Sequence, residues 1–260
     1  MYNYRFLLIF DAARCLANGD PETGLQRLIG DRALISQYCI KNKVKKYLAE
    51  NNEDILHYDL SEKVLIGDKL GNNKDEKEYL EEAKKYLDVR LFGICDLAKK
   101  IAINAQGPVS LENAISIDPV NMVRMNVNRN YRVSVNEKGD NDGSSFNIPV
   151  EIMDYAMFTC FGGTNRFAAQ DLGLSDEDMD KFFVALKNMF EEDFSVARPA
   201  GSMNINKLIV WKWEGKSKYS NKQLRESVCI RKKEDICFPQ SENDYEIVIE
   251  KLEGIETYIF

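Results

Sequence analysis

Histidine is almost missing: His57 is the single one in 260 residues. A zinc site built on histidines is excluded, and one side chain at most ionises near neutral pH without help. Six cysteines are present, but no CxxC pair; Cys229 and Cys237 come nearest to each other. Thiolate metal and redox motifs therefore have no starting point. Nor does the chain contain GxxxxGK[ST], GxGxxG or GxSxG, so a P-loop, a dinucleotide-binding turn and a nucleophile elbow lack motif support. The apolar run in MYNYRFLLIFDAAR is too short to span a bilayer, and no basic n-region or small-residue cleavage site precedes it. With scattered thiols, these absences predict a chain that works in a reducing cytoplasm and has no membrane partner.

Positive charge is in deficit overall, with 35 lysines and arginines against 42 aspartates and glutamates and a formal net charge of -7. Long-range steering of the whole body toward nucleic acid is not expected. The deficit is uneven, however. Glu50–Glu82 holds eleven acids and four lysines, Asp171–Asp193 eight acids and two lysines, and Glu234–Phe260 eight acids and Lys251 alone. Against these, Arg198–Lys233 carries ten basic residues and two acids. Two acid-free stretches are basic as well: Ser36–Ala49, with Lys41, Lys43, Lys45 and Lys46, and Asn121–Asn136, with Arg124, Arg129 and Arg132. This segregation suits a basic groove on an acidic body, or a set of unrelated solvated faces, and charge alone leaves both open.

With 44% hydrophobic residues the chain can bury a full core without staples. Tyr4 to Ala13 is apolar, aromatic and branched, which predicts a central strand ending in the turn formers Asn18-Gly19-Asp20-Pro21. Ser36 is a good N-cap for a helix in which Ile40, Val44, Tyr47 and Leu48 recur at helical spacing and the lysines occupy the opposite face. Residues 51–77 are polar and acidic with Gly67, Gly71 and Asn72-Asn73, as an inserted surface segment would be, and helical periodicity returns from Glu78 to Leu87. Asp88 to Cys95 is apolar again. Beyond Gln106-Gly107-Pro108, alternation predicts a strand interrupted at Asp118-Pro119, then a long hairpin with a polar tip. Val150 to Phe161 reads as a second central strand ended by Gly162-Gly163, Ser175 as the cap of a helix reaching about Glu192, and Ile205 to Trp213 as a further strand. Strand, helix, strand, strand, helix, strand is the order of an α+β, ferredoxin-like or RRM-like fold: an antiparallel sheet with helices on one face.

Few constellations carry chemistry. His57 sits in the acidic insertion and reads as a surface or half-buried histidine. Asp140-Asn141-Asp142-Gly143 lacks the flanking ligands of a calcium loop and suits a hairpin tip. Asp11, Asp20, Glu22 and Asp31 have the chemistry of magnesium ligands, but they lie on or near a loop, where turn and capping roles are commoner. The Ser36 helix is more informative: a helix N-terminus offers N–H groups and a positive dipole end to an anion, with Arg32 before it and Lys41 behind it.

Several ordered motifs resemble one family. They are Arg5 to Asp11 leading into Asn18-Gly19-Asp20-Pro21, Asp88-Val89-Arg90-Leu91-Phe92-Gly93, and Gly107-Pro108-Val109 followed by Ser116-Ile117-Asp118-Pro119. Leu186-Lys187-Asn188-Met189-Phe190, Asp193, Ser195, Ala197-Arg198 and Lys207-Leu208-Ile209-Val210 continue the series. The pattern resembles the repeated RNA-binding backbone subunit of type I CRISPR Cascade complexes, in the RAMP superfamily, especially its type I-C and I-B branch. The resemblance implies a non-catalytic protein without cofactor or metal: one modified RRM-like palm over residues 1–260, a finger-type insertion at about 51–77 and a thumb hairpin at about 122–148. It implies as partners the CRISPR RNA, further copies of the chain, target DNA through the guide, and the handle-binding, large and small subunits of the complex. RNA contacts carried over by the resemblance fall on Asn18, Arg27, Arg32, Ser36, Gln37, Lys41, Lys45, Arg124, Arg129, Arg132 and Arg166. The Asn18–Pro21 loop is shorter than the branch pattern, and Gly143-Ser144-Ser145-Phe146-Asn147 replaces a basic thumb end. Two other readings compete: a type III-like backbone subunit that cuts target RNA with Asp20 or Asp31 and a metal, and a protein-interaction domain that has lost RNA.

Overall fold

The computed structural model describes residues 2–58, 69–71, 75–98, 101–135 and 141–260, with backbone alone at 97–98, 101, 125, 127–135 and 141–149. Strand β1 (Asn3–Cys15) is followed by β2 (Leu28–Ile29), β3 (Arg32–Ile35) and helix α1 (Gln37–Glu50). Then come α2 (Glu76–Ala83), α3 (Leu87–Phe92), β4 (Gly93–Ala98), β5 (Ile101–Gln106), β6 (Val109–Leu111), β7 (Ala114–Ser116), β8 (Met122–Val135) and β9 (Asn141–Thr164). The last part holds α4 (Arg166–Leu172), α5 (Asp176–Asn188), β10 (Met203–Trp213), α6 (Asn221–Glu226), β11 (Val228–Lys232), β12 (Tyr245–Ile249) and β13 (Glu256–Ile259).

The main sheet runs β13-β10-β1-β9-β7-β3-β2, with β6 and β8 also paired to β9. Its ladders are antiparallel. The α+β class and the RRM-like arrangement thus agree with the sequence reading: β1, α1, β9, α5 and β10 supply the palm, and α1 and α5 pack against one another on one face. β1 explains why the sheet is thick on both sides. Phe6, Leu8, Phe10 and Ala12 point into the helical layer, whereas Leu7 and Ile9 enter a second cluster. A strand buried on both faces reads as a continuous apolar run, as Arg5 to Ala12 does.

The second cluster is the part the sequence left unread. Leu224, Val228 and Tyr245, from α6 and the β11–β12 ribbon, pack on Leu7, Ile9, Tyr155, Met157, Ile209 and Trp211. The sheet face that an RRM leaves open for bases is therefore occupied by the chain's own C-terminal part.

Four local expectations are corrected. Val150 to Phe161 is not a separate strand but the return arm of the hairpin: β9 is one strand of 24 residues, paired with β8 from Met122↔Met153 to Val135↔Asn141. Gly162 and Gly163 do not end it, because they lie inside it where neighbours crowd the backbone. A Cβ on Gly162 would stand 2.4 Å from a Phe6 ring carbon, and one on Gly163 2.4 Å from Arg5 Cδ. The strand after Pro108 breaks at Glu112-Asn113 as well as at Asp118-Pro119, since the Glu112 carboxylate accepts from the Phe161 N–H at 2.8 Å and turns the chain along β9. Asp88 to Cys95 divides into α3 and the start of β4 at Gly93, whose φ of 78° and close approach to Gly107 require glycine.

Residues 59–68 and 72–74 of the expected insertion at 51–77, and the hairpin tip at 136–140, lie outside the described residues. Around the described part of the insertion, Leu56, Leu70, Tyr79, Ala83, Val89, Ile94 and Ile103 form a small hydrophobic cluster of their own.

Candidate nucleic-acid interface

The β1–α1 loop folds back on the helix it precedes. Asn18 Oδ1 accepts from the Ser36 N–H at 2.9 Å, Asn18 N–H donates to Gln26 Oε1 at 3.0 Å, and Gln26 Nε2 donates to the carbonyls of Arg27 and Leu34. Asn18, Arg27, Ser36 and Gln37 are thereby brought together. Asp20 Oδ1 accepts from the N–H groups of Glu22 and Thr23, and Oδ2 lies 3.4 Å from Arg27. Asp20 acts here as a turn former. Asp11 is buried and accepts from Tyr155, Asn204 and Asn206. No group of three or more His, Cys, Asp or Glu side chains among the described residues could hold a metal ion.

The start of α1 is less open to an anion than its sequence suggests. Ser36 Oγ accepts from the Cys39 N–H at 3.2 Å, and Asn113 Oδ1 accepts from the Gln37 N–H at 2.9 Å. Two of the orphan donors of the first turn are thus satisfied within the protein.

Nor do the lysines form one opposite face. Ile40, Val44 and Leu48 make the buried stripe, and the lysines flank it on both sides. Lys41 and Lys45, four residues apart, lie on one flank. Lys41 Nζ is 5.3 Å from the Phe92 ring centroid, and Lys45 Nζ is 3.8 Å from Asp88 Oδ2. Burial lowers the pKa of Lys41, aided by Lys45; burial lowers that of Lys45, opposed by Asp88 and Asp96. On the other flank, buried Lys43 pairs with Asp193, which also receives Lys46 at 3.4 Å and Arg198 Nε at 3.5 Å. Three cations thus share the Asp193 carboxylate, and Lys46 also lies 3.8 Å from Glu50.

The DxRLFG motif is structural support for the Lys41–Lys45 flank. Asp88 is fully buried; it accepts from the N–H groups of Leu56 and His57 and lies 2.7 Å from His57 Nδ1, while His57 Nε2 lies 2.6 Å from Asp96 Oδ2. Burial pushes the His57 pKa down, but the two carboxylates prevail and hold it above its ordinary value. Arg90 makes a two-pronged contact with Asp178 at 3.0 and 2.8 Å. Phe92 meets Phe182 edge-on.

The remaining expected residues disperse. Arg32 Nη1 donates to the carbonyls of Ser116 and Ile117, tying β3 to the base of the hairpin, so this arginine is partly committed to the fold. Arg124 crosses to Glu151 at 2.7 Å with its side chain exposed. Arg129 and Arg132 are on β8 opposite Phe146 and Gly143, and their side chains lie outside the described residues. Arg166 opens α4, exposed, with its guanidinium 5.6 Å from the exposed Phe167 ring. Sequence reasoning missed Lys46 and Arg198 as neighbours. Both stand in basic stretches, yet only the fold tells which cations share Asp193.

The chain is thus an RRM-like α+β protein with a long β-hairpin, one sheet face closed by its own C-terminal part, and lysines along the flanks of α1. Residues 2–250 match the family model described as CRISPR-associated protein Cas7, and the chain belongs to that family. Among solved structures it is similar in fold to a chain of a "CRISPR RNA-guided surveillance complex, pre-nicking", with a TM-score of 0.54, 11% identity, and 83% of this chain and 80% of that chain covered. A chain of a "CRISPR RNA-guided surveillance complex" aligns at a TM-score of 0.49 and 12% identity over 86% of this chain and 80% of that one. No curated protein matches the chain. No helix among the described residues is long and apolar enough to cross a membrane.

Proposed function

We propose that the chain is a non-catalytic backbone subunit of a type I, I-C-like CRISPR surveillance complex, several copies of which line up along one guide RNA and leave its bases free to pair with target DNA. Family membership supports the reading, and one structural observation carries its mechanism. Leu224, Val228 and Tyr245 cover the sheet face on which an RRM stacks bases, so this chain grips phosphates and not base planes. We assign the grip to Lys41 and Lys45 on α1, to Asn18, Arg27, Ser36 and Gln37 beside it, and to Arg124, Arg129 and Arg132 on the β8–β9 hairpin, with Arg32 and Arg166 as outlying contacts. The hairpin serves as thumb, and the insertion after α1 as fingers. A net charge of -7 does not oppose this, because affinity comes from phosphates neutralised locally and is multiplied over copies on one strand.

Asp20 and Asp31 are assigned no cleavage role, Asp20 being held by the Glu22 and Thr23 N–H groups and by Arg27. The experiment is co-expression with a CRISPR array and the companion subunits, followed by sequencing of the RNA that copurifies. Recovery of processed guides, lost from a Lys41→Ala/Lys45→Ala/Arg129→Ala variant, is the expected result. A chain that stays monomeric and nucleotide-free, or a triple variant that retains guides with unchanged salt dependence, overturns the reading.

A further inference from the structure

The most basic stretch of the sequence, Arg198 to Lys233, contributes none of the residues assigned to the guide, and a large part of its charge converges elsewhere. Lys212, Lys216 and Lys218 line an open cavity of about 650 Å³ with Tyr2, Trp213, Glu214 and Glu256. None of the three ammonium groups has a carboxylate within ion-pair distance among the described residues. Of the two acids in the wall, Glu256 accepts from the Tyr258 hydroxyl at 2.7 Å, and Glu214 lies near enough to Tyr2 to raise the pKa of its phenol. The floor is aromatic. Lys212 Nζ lies 3.9 Å above the Tyr2 ring, and the Trp213 ring carries Arg5 at 5.6 Å. Three lysines against two carboxylates, with an aromatic wall beside them, suit a ligand with anionic acceptors and a flat ring, which is the chemistry of single-stranded nucleic acid.

Position separates this cavity from the loop end of the guide surface. Trp213 pairs with Asn3 at the beginning of β1, whereas Asn18 and Ser36 lie beyond the end of that strand. Thirteen residues of strand span about 40 Å. We infer that the Tyr2–Trp213–Lys216–Lys218 cavity is a second nucleic-acid site, taking a single-stranded segment other than the guide, with phosphate at the lysines and a base against the Trp213 indole.

Trp213 is a built-in reporter, since the one other tryptophan, Trp211, is fully buried in the core. The test is titration of the purified chain, and of the guide-loaded complex, with an oligothymidylate while indole fluorescence is followed. Saturable, salt-sensitive quenching is expected in both. Lys216→Ala/Lys218→Ala should weaken it about tenfold and reduce the salt slope by about two, one for each phosphate contact removed. That variant should copurify guide RNA as the parent does. Lys41→Ala/Lys45→Ala, which tests the guide surface, should leave the quenching unchanged, so the two readings fail separately. The inference is overturned by any of four results: no quenching, quenching that persists in Trp213→Phe, quenching abolished by the Lys41→Ala/Lys45→Ala pair, or an equal response to polyglutamate.

Discussion

Helix α1 has two lysine-bearing flanks that look alike in sequence and differ in what meets them. Toward α5 and the loop after it, Lys43 and Lys46 meet Asp193 in a largely buried cluster with Arg198. Toward α3, Lys41 and Lys45 meet a ring and the edge of a carboxylate already engaged by His57. The first flank couples the helix to the core; the second keeps much of its charge for a partner. Four lysines within six positions thus divide between stability and binding, because rotation about the helix axis by 100° per residue hands the two pairs to different neighbours.

The strongest challenge to that division is Asp193→Asn. It leaves Lys43, 4% exposed, as a buried charge without its carboxylate, and should cost roughly 3–5 kcal/mol in urea unfolding. A small loss would mean that the two flanks are equivalent. Lys41→Ala/Lys45→Ala should do the reverse. Unfolding stability should shift by less than about 1 kcal/mol, while the logarithmic salt dependence of guide retention should fall by about two; a shift in stability alone would erase the distinction.

The second flank should also respond to pH. His57 is held above its ordinary pKa, so its cationic form stabilises the fold fully below the unfolded value near 6.5, and the contribution fades as pH rises through the folded value. His57→Gln should therefore destabilise the protein more at about pH 5.5 than at about pH 8.5, in paired denaturation curves. Equal losses at both would show that the Asp88–His57–Asp96 contact is not ionic. The smallest effect is expected from Ser36→Ala, which removes one cap from the helix that carries both flanks. It should lower stability by about 1 kcal/mol and leave the ratio of guide affinity between the flank variants as it was.

Much of the palm was legible because its signals are local. β1 is a continuous apolar run, α1 and α5 begin at serine caps with apolar residues at helical spacing, and β10 alternates between two cores. The hairpin was legible in outline, but its return arm was split in two. Gly162-Gly163 reads as a stop until Phe6 and Arg5 are seen pressing on that backbone. The closeness of Lys41 and Lys45 was legible from their spacing of four on one helix, whereas the Asn18–Ser36 contact is set by the fold. The fold role of Arg32 was not legible, since nothing local indicates that its guanidinium reaches the Ser116 and Ile117 carbonyls 84 and 85 residues away. The free helix N-terminus was misjudged for a similar reason: Asn113 caps it from a segment 76 residues distant.

Periodicity and capping residues were enough on their own to define an RRM-like α+β chain, and the ordered motifs to show its resemblance to the CRISPR backbone family, because each depends on neighbours a few positions apart. Which cations are spent in the fold, which sheet face is closed by Leu224, Val228 and Tyr245, and where the Arg198–Lys233 charge gathers were decided by tertiary structure alone. Those outcomes depend on pairs far apart in the chain, where a carboxylate or an apolar side chain arrives from another element and settles whether a charge is neutralised or a surface buried.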